Sequence, residues 1–387
     1  MSESTKSYFS VSPELITTNI DLSYDLFINS SSRSDKEKFV RIFPKGQEIS
    51  DDDVTSFRQK YHQLYIPEEQ RGDYLKSLSQ SSTIDDVQKT DVIKDSAIQY
   101  LDKLFDETKE FSTEVLEETI GGCRDAVESM VDVIKDYKIN DVQNLIGNLS
   151  FHDFYTYDHS INVSMYCIMI LRAIKPDASR EEIVMAGLGG MLHDLGKLKI
   201  PNSIINSPGD LTDADFAQIR KHPDYGKELL EEKCPHCEGV DFEVISRIIY
   251  EHHENYNGTG YPNKMKGEDI HLYARITAIA DFFDAITTKR SYHDAMSTDE
   301  ALGVMARSVG KKIDPKIFVI FADSIDKIKT PKPGLMALPD SFDPCMPHKV
   351  LPLQTYEARR VQKDIFGNKK DHGDVKFIDF PKKKKAS

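Results

Sequence analysis

Six of the twelve histidines in this chain, His159, His193, His222, His236, His252 and His253, fall inside one stretch of helical periodicity. From 157 to 328 apolar residues recur at three- and four-residue spacing, with breaks where Pro201, Pro208, Pro235 and the glycine-rich segment 258–262 stand. An all-α domain of this kind must bury its apolar stripes, and polar residues set within them go inside as well. A buried imidazole or carboxylate without a partner is costly. Several of them in one interior suit a first-row divalent metal, which accepts both ligand types.

The rest of the chain reads differently. Residues 8–78 alternate in short pieces such as YDLFINS and KFVRIFP around Pro44, Gly46 and Pro67. This pattern predicts a small β-containing (α+β) module at 1–86, with the Ser/Asp-rich stretch 79–86 as its exit linker. Val92, Ile93, Ala97, Ile98, Leu101 and Leu104 follow at helical spacing, as do Val115, Leu116 and Ile120, until Gly121 and Gly122 interrupt them. A further helix runs through Met130, Val131 and Ile134. This helical connector, 87–150, either packs within the chain or pairs with a second copy, and a homodimer through it is the expectation. The metal domain spans 151–328, and a proline-containing tail with a basic end, the lysines at 382–385, occupies 329–387. The fold class expected is mainly α.

Charge and composition narrow the function. A formal net charge of −14 excludes broad binding to DNA, RNA or an anionic membrane, since backbone phosphates require a basic footprint. Small anions stay within reach of a local cation cluster or a bound metal. No apolar run approaches the roughly 18 residues of a membrane span, and MSESTKSYFS has no export signal. Five cysteines at low density fit a reducing compartment, so the protein is read as cytoplasmic, with ligands drawn from histidine and carboxylate.

Three segments carry the chemistry. His193 and Asp194 lie in GLGGMLHDLGKLKIP, where an apolar helix runs into a turn, so Asp194 must be hydrogen-bonded or coordinated. Lys197, three residues on, either meets a ligand phosphate or snorkels at the surface. His252, His253 and Glu254 follow VISRIIY and lead into NYNGTGYP, whose glycines permit close backbone approach. Consecutive helical residues diverge by about 100°, so both histidines serve one cluster only at a helix edge. Asp281 interrupts the apolar helix YARITAIADFFDAITTKR, and alone it reads as a buried hydrogen-bonding residue. Cys234, His236 and Cys237 in CPHC fall one ligand short of a closed zinc site, so two inert thiols in an exposed loop are expected.

Taken in order, HS at His159, HDLGK at His193, HP at His222, HHE at His252, GYP at Gly260 and DFFDAITTKRSY at Asp281 resemble the HD-GYP family. This is a branch of the HD-domain metal-dependent phosphohydrolases, and the resemblance covers about residues 155–294. It implies an all-helical HD-type metal-binding domain that hydrolyses cyclic di-GMP to linear pGpG and sometimes GMP. Position by position, it implies that His159, His193, Asp194 and Asp281 hold one metal. Asp194 would bridge to a second, held by His222, His252 and His253. Asp194 and Lys197 are the implied catalytic residues. Lys197 and Arg290 would contact phosphate, Arg290 through a bidentate fork, and Gly260, Tyr261 and Pro262 would shape the adjoining wall while also making a turn. The implied cofactors are two divalent transition-metal ions, iron or manganese, sharing a hydroxide as nucleophile.

The chain departs from the family at three points. Tyr155 stands where some members place a glutamate for a third metal, so two metals are expected. Asn257 replaces an aspartate of the loop, which predicts a weaker loop hydrogen bond, and His293 replaces a basic residue beyond Arg290. Competing readings are a preference for another cyclic dinucleotide such as cyclic GMP-AMP, a nucleotide receptor or adaptor without turnover, and a mononucleotide hydrolase. The complete set of seven ligands argues against a degenerate site, and the GYP loop with its paired histidines favours the cyclic-dinucleotide branch.

Overall fold

The structure, a computed structural model, describes residues 7–31, 37–105, 111–149, 155–205, 212–233, 236–288 and 296–325. Arg290, His293, Cys234, the tail 329–387 and the side chain of Tyr155 lie outside the described residues.

The N-terminal module is α+β, as its alternation predicts. It comprises β1 (Tyr8–Val11), β2 (Ile20–Asp21), β3 (Leu26–Asn29), β4 (Phe39–Phe43), β5 (Glu48–Ile49), α1 (Asp51–Lys60), β6 (Leu64–Pro67) and α2 (Arg71–Gln80). Four strands form an antiparallel sheet in the order β1-β6-β3-β4, and β2 pairs with β5. Phe9, Val11, Leu26, Leu64 and Ile66 are buried, with Phe9 against Tyr74 of α2 at 5.7 Å between ring centroids. Every second residue faces the other way, and Tyr8, Phe27, Phe39 and Tyr65 make ring contacts with one another there.

The stretch 79–86, expected as an exit linker, is short and packed. Only 81–85 separate α2 from α3 (Asp86–Phe105), and Ser81 and Ile84 among them are buried. The reason lies in Arg71, 1% exposed at the start of α2. Its guanidinium forks onto Glu68 at 2.7 and 2.8 Å, lies 3.9 Å above the Phe9 ring and donates to Ser96 Oγ of α3 at 3.3 Å. A buried guanidinium is stable only with such partners, and these come from both sides of the stretch.

The connector consists of α3, α4 (Thr113–Val133) and α5 (Ile139–Asn148). Helix α4 runs unbroken through Gly121 and Gly122, which were expected to interrupt it. Gly122 lies directly beneath the ring of Tyr100, where a Cβ would overlap the ring, so the absent side chain serves close α3–α4 packing. Val92, Ile93, Ala97, Leu101, Leu104, Leu116, Ile120 and Ile134 are all buried in the chain's own core. Packed so, these residues do not offer the dimer seam expected of them.

The remaining helices are α6 (Tyr155–Ile174), α7 (Arg180–Leu192), α8 (Asn202–Ile205), α9 (Asp213–Ile219), α10 (His222–Lys233), α11 (Phe242–Glu251), α12 (Leu272–Thr287), α13 (Thr298–Ala306) and α14 (Pro315–Ser324). Their starts are written locally: Ser179 with Glu182, Thr212 with Asp215 and Ser297 with Glu300 each close a reciprocal capping box. Helix α7 packs against α4, α6, α11 and α12. Its Gly189 and Gly190 abut Ile248 of α11 and Cys167 of α6 with no room for a Cβ, so three helices bearing or ending in candidate ligands converge closely. No described helix is long and apolar enough to cross a membrane.

Two stability predictions follow from α4. No heavy atom lies within 4 Å of a Cβ built on Gly121, so Gly121→Ala should stabilise by about 0.5–1 kcal/mol through helix propensity. Gly122→Ala should instead destabilise by about 1–3 kcal/mol by overpacking against Tyr100, both read from chemical denaturation. Burial, with Glu128 and then Asp73 nearby, raises the Asp125 carboxyl from 3.8 to about 6. A carboxyl raised by folding contributes fully below its unfolded value, and that contribution is lost as pH rises through about 6. Asp125→Asn should therefore gain stability over the parent at pH 7.5 and little at pH 4, measured by urea midpoints.

Candidate metal centre

Three of the candidate histidines sit where a helix ends. His193 follows α7 and His252 follows α11, each as the C-terminal cap, and His222 comes three residues after Ile219, the last residue of α9. The final carbonyls of a helix have no intrahelical donor. Each of these rings supplies one through Nδ1: His193 to Gly190 at 2.7 Å, His222 to Ile219 at 2.8 Å and His252 to Ile249 at 2.8 Å. A carbonyl only accepts, so Nδ1 carries a proton in all three and Nε2 is the nitrogen turned to the centre.

His159 lies inside α6, where backbone carbonyls are already engaged, and it uses a side chain instead. Its Nδ1 is 2.7 Å from Asp284 Oδ2, while Asn162 and Thr288 donate to Asp284 Oδ1 at 3.0 and 2.6 Å. His159 Nε2 is then 3.1 Å from Asp281 Oδ1. The ring of His253 stacks on Tyr261 with centroids 4.9 Å apart.

The seven candidate ligands converge as the motif order implied. Ligand atoms of His159, His193 and Asp281 lie within 4.8 Å of one another, as do those of His222, His252 and His253. A third such group, His193, Asp194 and His252, joins the two. Asp194 Oδ2 is 3.2 Å from His193 Nε2, and its Oδ1 is 3.4 Å from His222 Nε2, so one carboxylate faces both trios. Lys197, in the tight turn Leu195–Lys199, donates to Asp194 Oδ2 at 2.6 Å. Lys197 is thus half-buried and paired with Asp194.

These atoms fit a metal and fit little else. The Nε2 atoms of His222 and His252 are 3.1 Å apart, and both carry lone pairs because both Nδ1 protons are committed to carbonyls. A cation between them removes that repulsion. Asp194 Oδ1 and Asp281 Oδ2 are buried without a hydrogen-bond partner, a costly state for polar atoms unless something coordinates them. Burial pushes His222 and His252 down to about 3 and His253 well below its usual range, which keeps these imidazoles neutral, as ligands must be. Burial opposes a charge on Asp194 as well, but His193 and Lys197 outweigh it and hold the carboxyl well below the usual range.

The GYP loop acts on the ligands from behind. Gly260 backs onto the main chain of 253–255, where a Cβ would lie 2.5 Å from the His253 carbonyl oxygen. Tyr261 donates its amide to that oxygen at 3.2 Å. Glu254, quoted in HHE without a role, accepts the amides of Asn263 and Met265 at 2.6 and 3.0 Å and folds the loop back. Asn257 makes the loop contacts expected to suffer from the lost charge, accepting from Thr259 N at 3.0 Å and Thr259 Oγ1 at 2.7 Å. In the CPHC segment Cys237 is a free thiol pushed up by burial, and His236 is tied through its amide to Glu117 at 2.7 Å. Sequence reasoning missed Asp284 and Asn162. The available signal was the i, i+3 spacing of Asp281 and Asp284, which puts both on one helix face.

Asp284→Ala should lower metal affinity at the His159 trio by about 10- to 100-fold, the usual cost of losing the group that orients a ligand. Competition with a chromogenic chelator checks this. The second trio, which Asp284 does not touch, should keep its ion.

Residues 143–317 match the HD-domain family, whose members bind divalent metal. Over 178 residues, 46% of this chain and 41% of the relative, the sequence is 39% identical to cyclic di-GMP phosphodiesterase PA4108 of Pseudomonas aeruginosa. Over 195 residues, 50% of this chain and 38% of the relative, it is 35% identical to 3′3′-cGAMP-specific phosphodiesterase 3 of Vibrio cholerae. A solved HDG"Y"P protein from Bdellovibrio bacteriovorus aligns with 82% of this chain and 99% of its own length at a TM-score of 0.49 and 20% identity. The chain spans about two fifths of the length of the curated relatives it matches. With the HD and paired-histidine motifs brought to one buried cluster and the GYP loop packed against His253, residues 143–317 match the HD-domain model and are similar to cyclic-dinucleotide phosphodiesterases that bear those names.

Proposed function

We propose that this chain is a phosphodiesterase that hydrolyses cyclic di-GMP to linear pGpG, and onward to GMP, at two divalent metal ions. The observation that carries the reading is the pair of buried ligand trios joined by Asp194. In it His159, His193, Asp194 and Asp281 would hold one ion, and His222, His252, His253 and Asp194 would hold the other. Iron or manganese suits this mixture of imidazole and carboxylate. The ions supply Lewis acidity and an activated water.

The chain's own groups do the rest. Asp194 keeps both sites at one spacing. The Lys197 ammonium, held 2.6 Å from Asp194, is placed beside the centre to meet a phosphate oxygen and offset its growing charge. Arg290 would add a forked contact. Water oxygen ends on phosphorus, the P–O3′ bond breaks, and a proton ends on the ribose 3′-oxygen. A preference for cyclic GMP-AMP is the second reading, supported by the Vibrio cholerae relative of that name, because the phosphate chemistry is the same and only base contacts differ. Free thiols at Cys123, Cys167 and Cys237 support a reducing compartment, which we take to be the cytoplasm.

The test is anaerobic incubation of protein loaded with ferrous iron or manganese with each dinucleotide, followed by chromatography. Linear product should form, and Asp194→Ala should lose both bound metal and turnover. Lys197→Ala and Arg290→Ala should keep metal while turnover falls about 100- to 1,000-fold. No product from fully loaded protein with either dinucleotide would leave a receptor without turnover.

A further inference from the structure

The seven candidate ligands are buried, and the cavity that reaches Asp194 is far smaller than a dinucleotide. None is more than 7% exposed. A cavity of about 20 Å³ touches Asp194, lined also by Leu195, Met191 and Leu192 of the 192 end of α7, by Tyr157 and Ser160 of α6, and by Leu101 and Leu104 of α3. That volume holds about one water, whereas sites for ligands of drug size run to roughly 300–1,000 Å³. Leu101 and Leu104 come from outside the HD domain at 143–317. An element that the domain itself does not supply therefore closes one side of its centre.

Helix α3 is fastened differently along its length. Near its midpoint Lys94 and Asp158 form a buried ion pair at 2.8 Å, with side chains 3% and 7% exposed, which fixes α3 to the helix carrying His159. Further along, Thr119 of α4 donates to the Tyr100 carbonyl at 3.1 Å. Its last turn is tied to α4 by the Lys103–Glu118 ion pair at 2.6 Å, with side chains 27% and 52% exposed, and to α6 by a 3.3 Å hydrogen bond from Tyr157 to the exposed Asp102 and by the two leucines. The end over Asp194 is thus held by apolar contact and by solvent-exposed polar ties, which contribute little, and the midpoint by a buried charge pair.

We propose that the last turn of α3 is a gate on the Asp194 side of the centre, and that Leu101 and Leu104 limit access to water-sized molecules until that turn lifts to admit a phosphodiester. The inference rests on the proposed hydrolysis for its substrate but not for its geometry. Access can be measured without turnover, as the rate at which a chelator strips metal from the loaded full-length chain.

Leu104→Ala should strip at least tenfold faster than the parent, with unchanged metal content at the start. Asp102→Ala, an exposed change that cuts the tie without touching the core, should strip severalfold faster and covers the case in which Leu104→Ala does not fold. Val40→Ala, on the distant sheet, should strip at the parent rate. In parallel, hydrolysis of cyclic di-GMP is compared with that of bis(4-nitrophenyl) phosphate, and the opened variants should gain more on the larger substrate. Parental stripping rates in a folded Leu104→Ala or Asp102→Ala variant overturn the gate, whatever hydrolysis shows. Faster stripping with no hydrolysis of either diester upholds the gate and removes the phosphodiesterase reading instead.

Discussion

The centre depends on a donation repeated three times, from a histidine Nδ1 to the carbonyl three residues before it. It settles two problems together. A helix end buried in the domain interior has carbonyls that water cannot reach, and an imidazole that is to bind metal must have its proton on the far nitrogen. Placing the ligand at the helix end solves both with one hydrogen bond. The direction of Nε2 then follows from the direction of the helix, so the arrangement of α7, α9 and α11 is also the arrangement of these nitrogens. Where a ligand cannot sit at an end, as for His159 inside α6, the same task requires an additional buried carboxylate, Asp284, with Asn162 and Thr288 to satisfy it.

That economy sets demands on packing. Helices that deliver ligands to one point must come close, and α7 achieves this through glycines lying against Cys167 and Ile248. Asp194 and Asp281 are correspondingly expensive. Asp194 Oδ1 and Asp281 Oδ2 are buried where no donor reaches them, so without a cation the centre opposes folding rather than supporting it. Metal binding to such a site is linked to folding free energy and displaces protons from groups like His159, whose pKa is raised, against the effect of burial, by Asp281 and Asp284.

The convergence of the seven candidate ligands was legible through the ordered motifs that resemble the HD-GYP family; read alone, His193-Asp194 and His252-His253 stand out as local pairs, whereas Asp281 reads as a buried hydrogen-bonding residue. The mainly α class and the β-containing start were legible from periodicity alone. Features made by distant residues were not legible. Nothing near Gly122 tells that Tyr100 will lie over it, so the diglycine reads as a break. Nothing near Ser79 tells that Arg71 will reach Ser96 and fix the stretch between them. The resemblance implies that Gly260, Tyr261 and Pro262 shape the wall beside the cluster while making a turn, and the contacts of Gly260 and Tyr261 with His253 are made from that turn.

The position of Arg71 connects these points. Its side chain is shared by the first strand through Phe9, by the entry to α2 through Glu68, and by α3 through Ser96 and the Tyr100 ring at 5.9 Å. Helix α3 in turn bears the buried Lys94 that pairs beside His159 and the leucines that face Asp194. The N-terminal module therefore has no separate core through which it could move independently of the centre. Any ligand that shifts β1 against α2 must either break the Arg71 contacts or carry α3 with it. A rigid module joined in this way transmits position, and what it positions is one wall of the metal site.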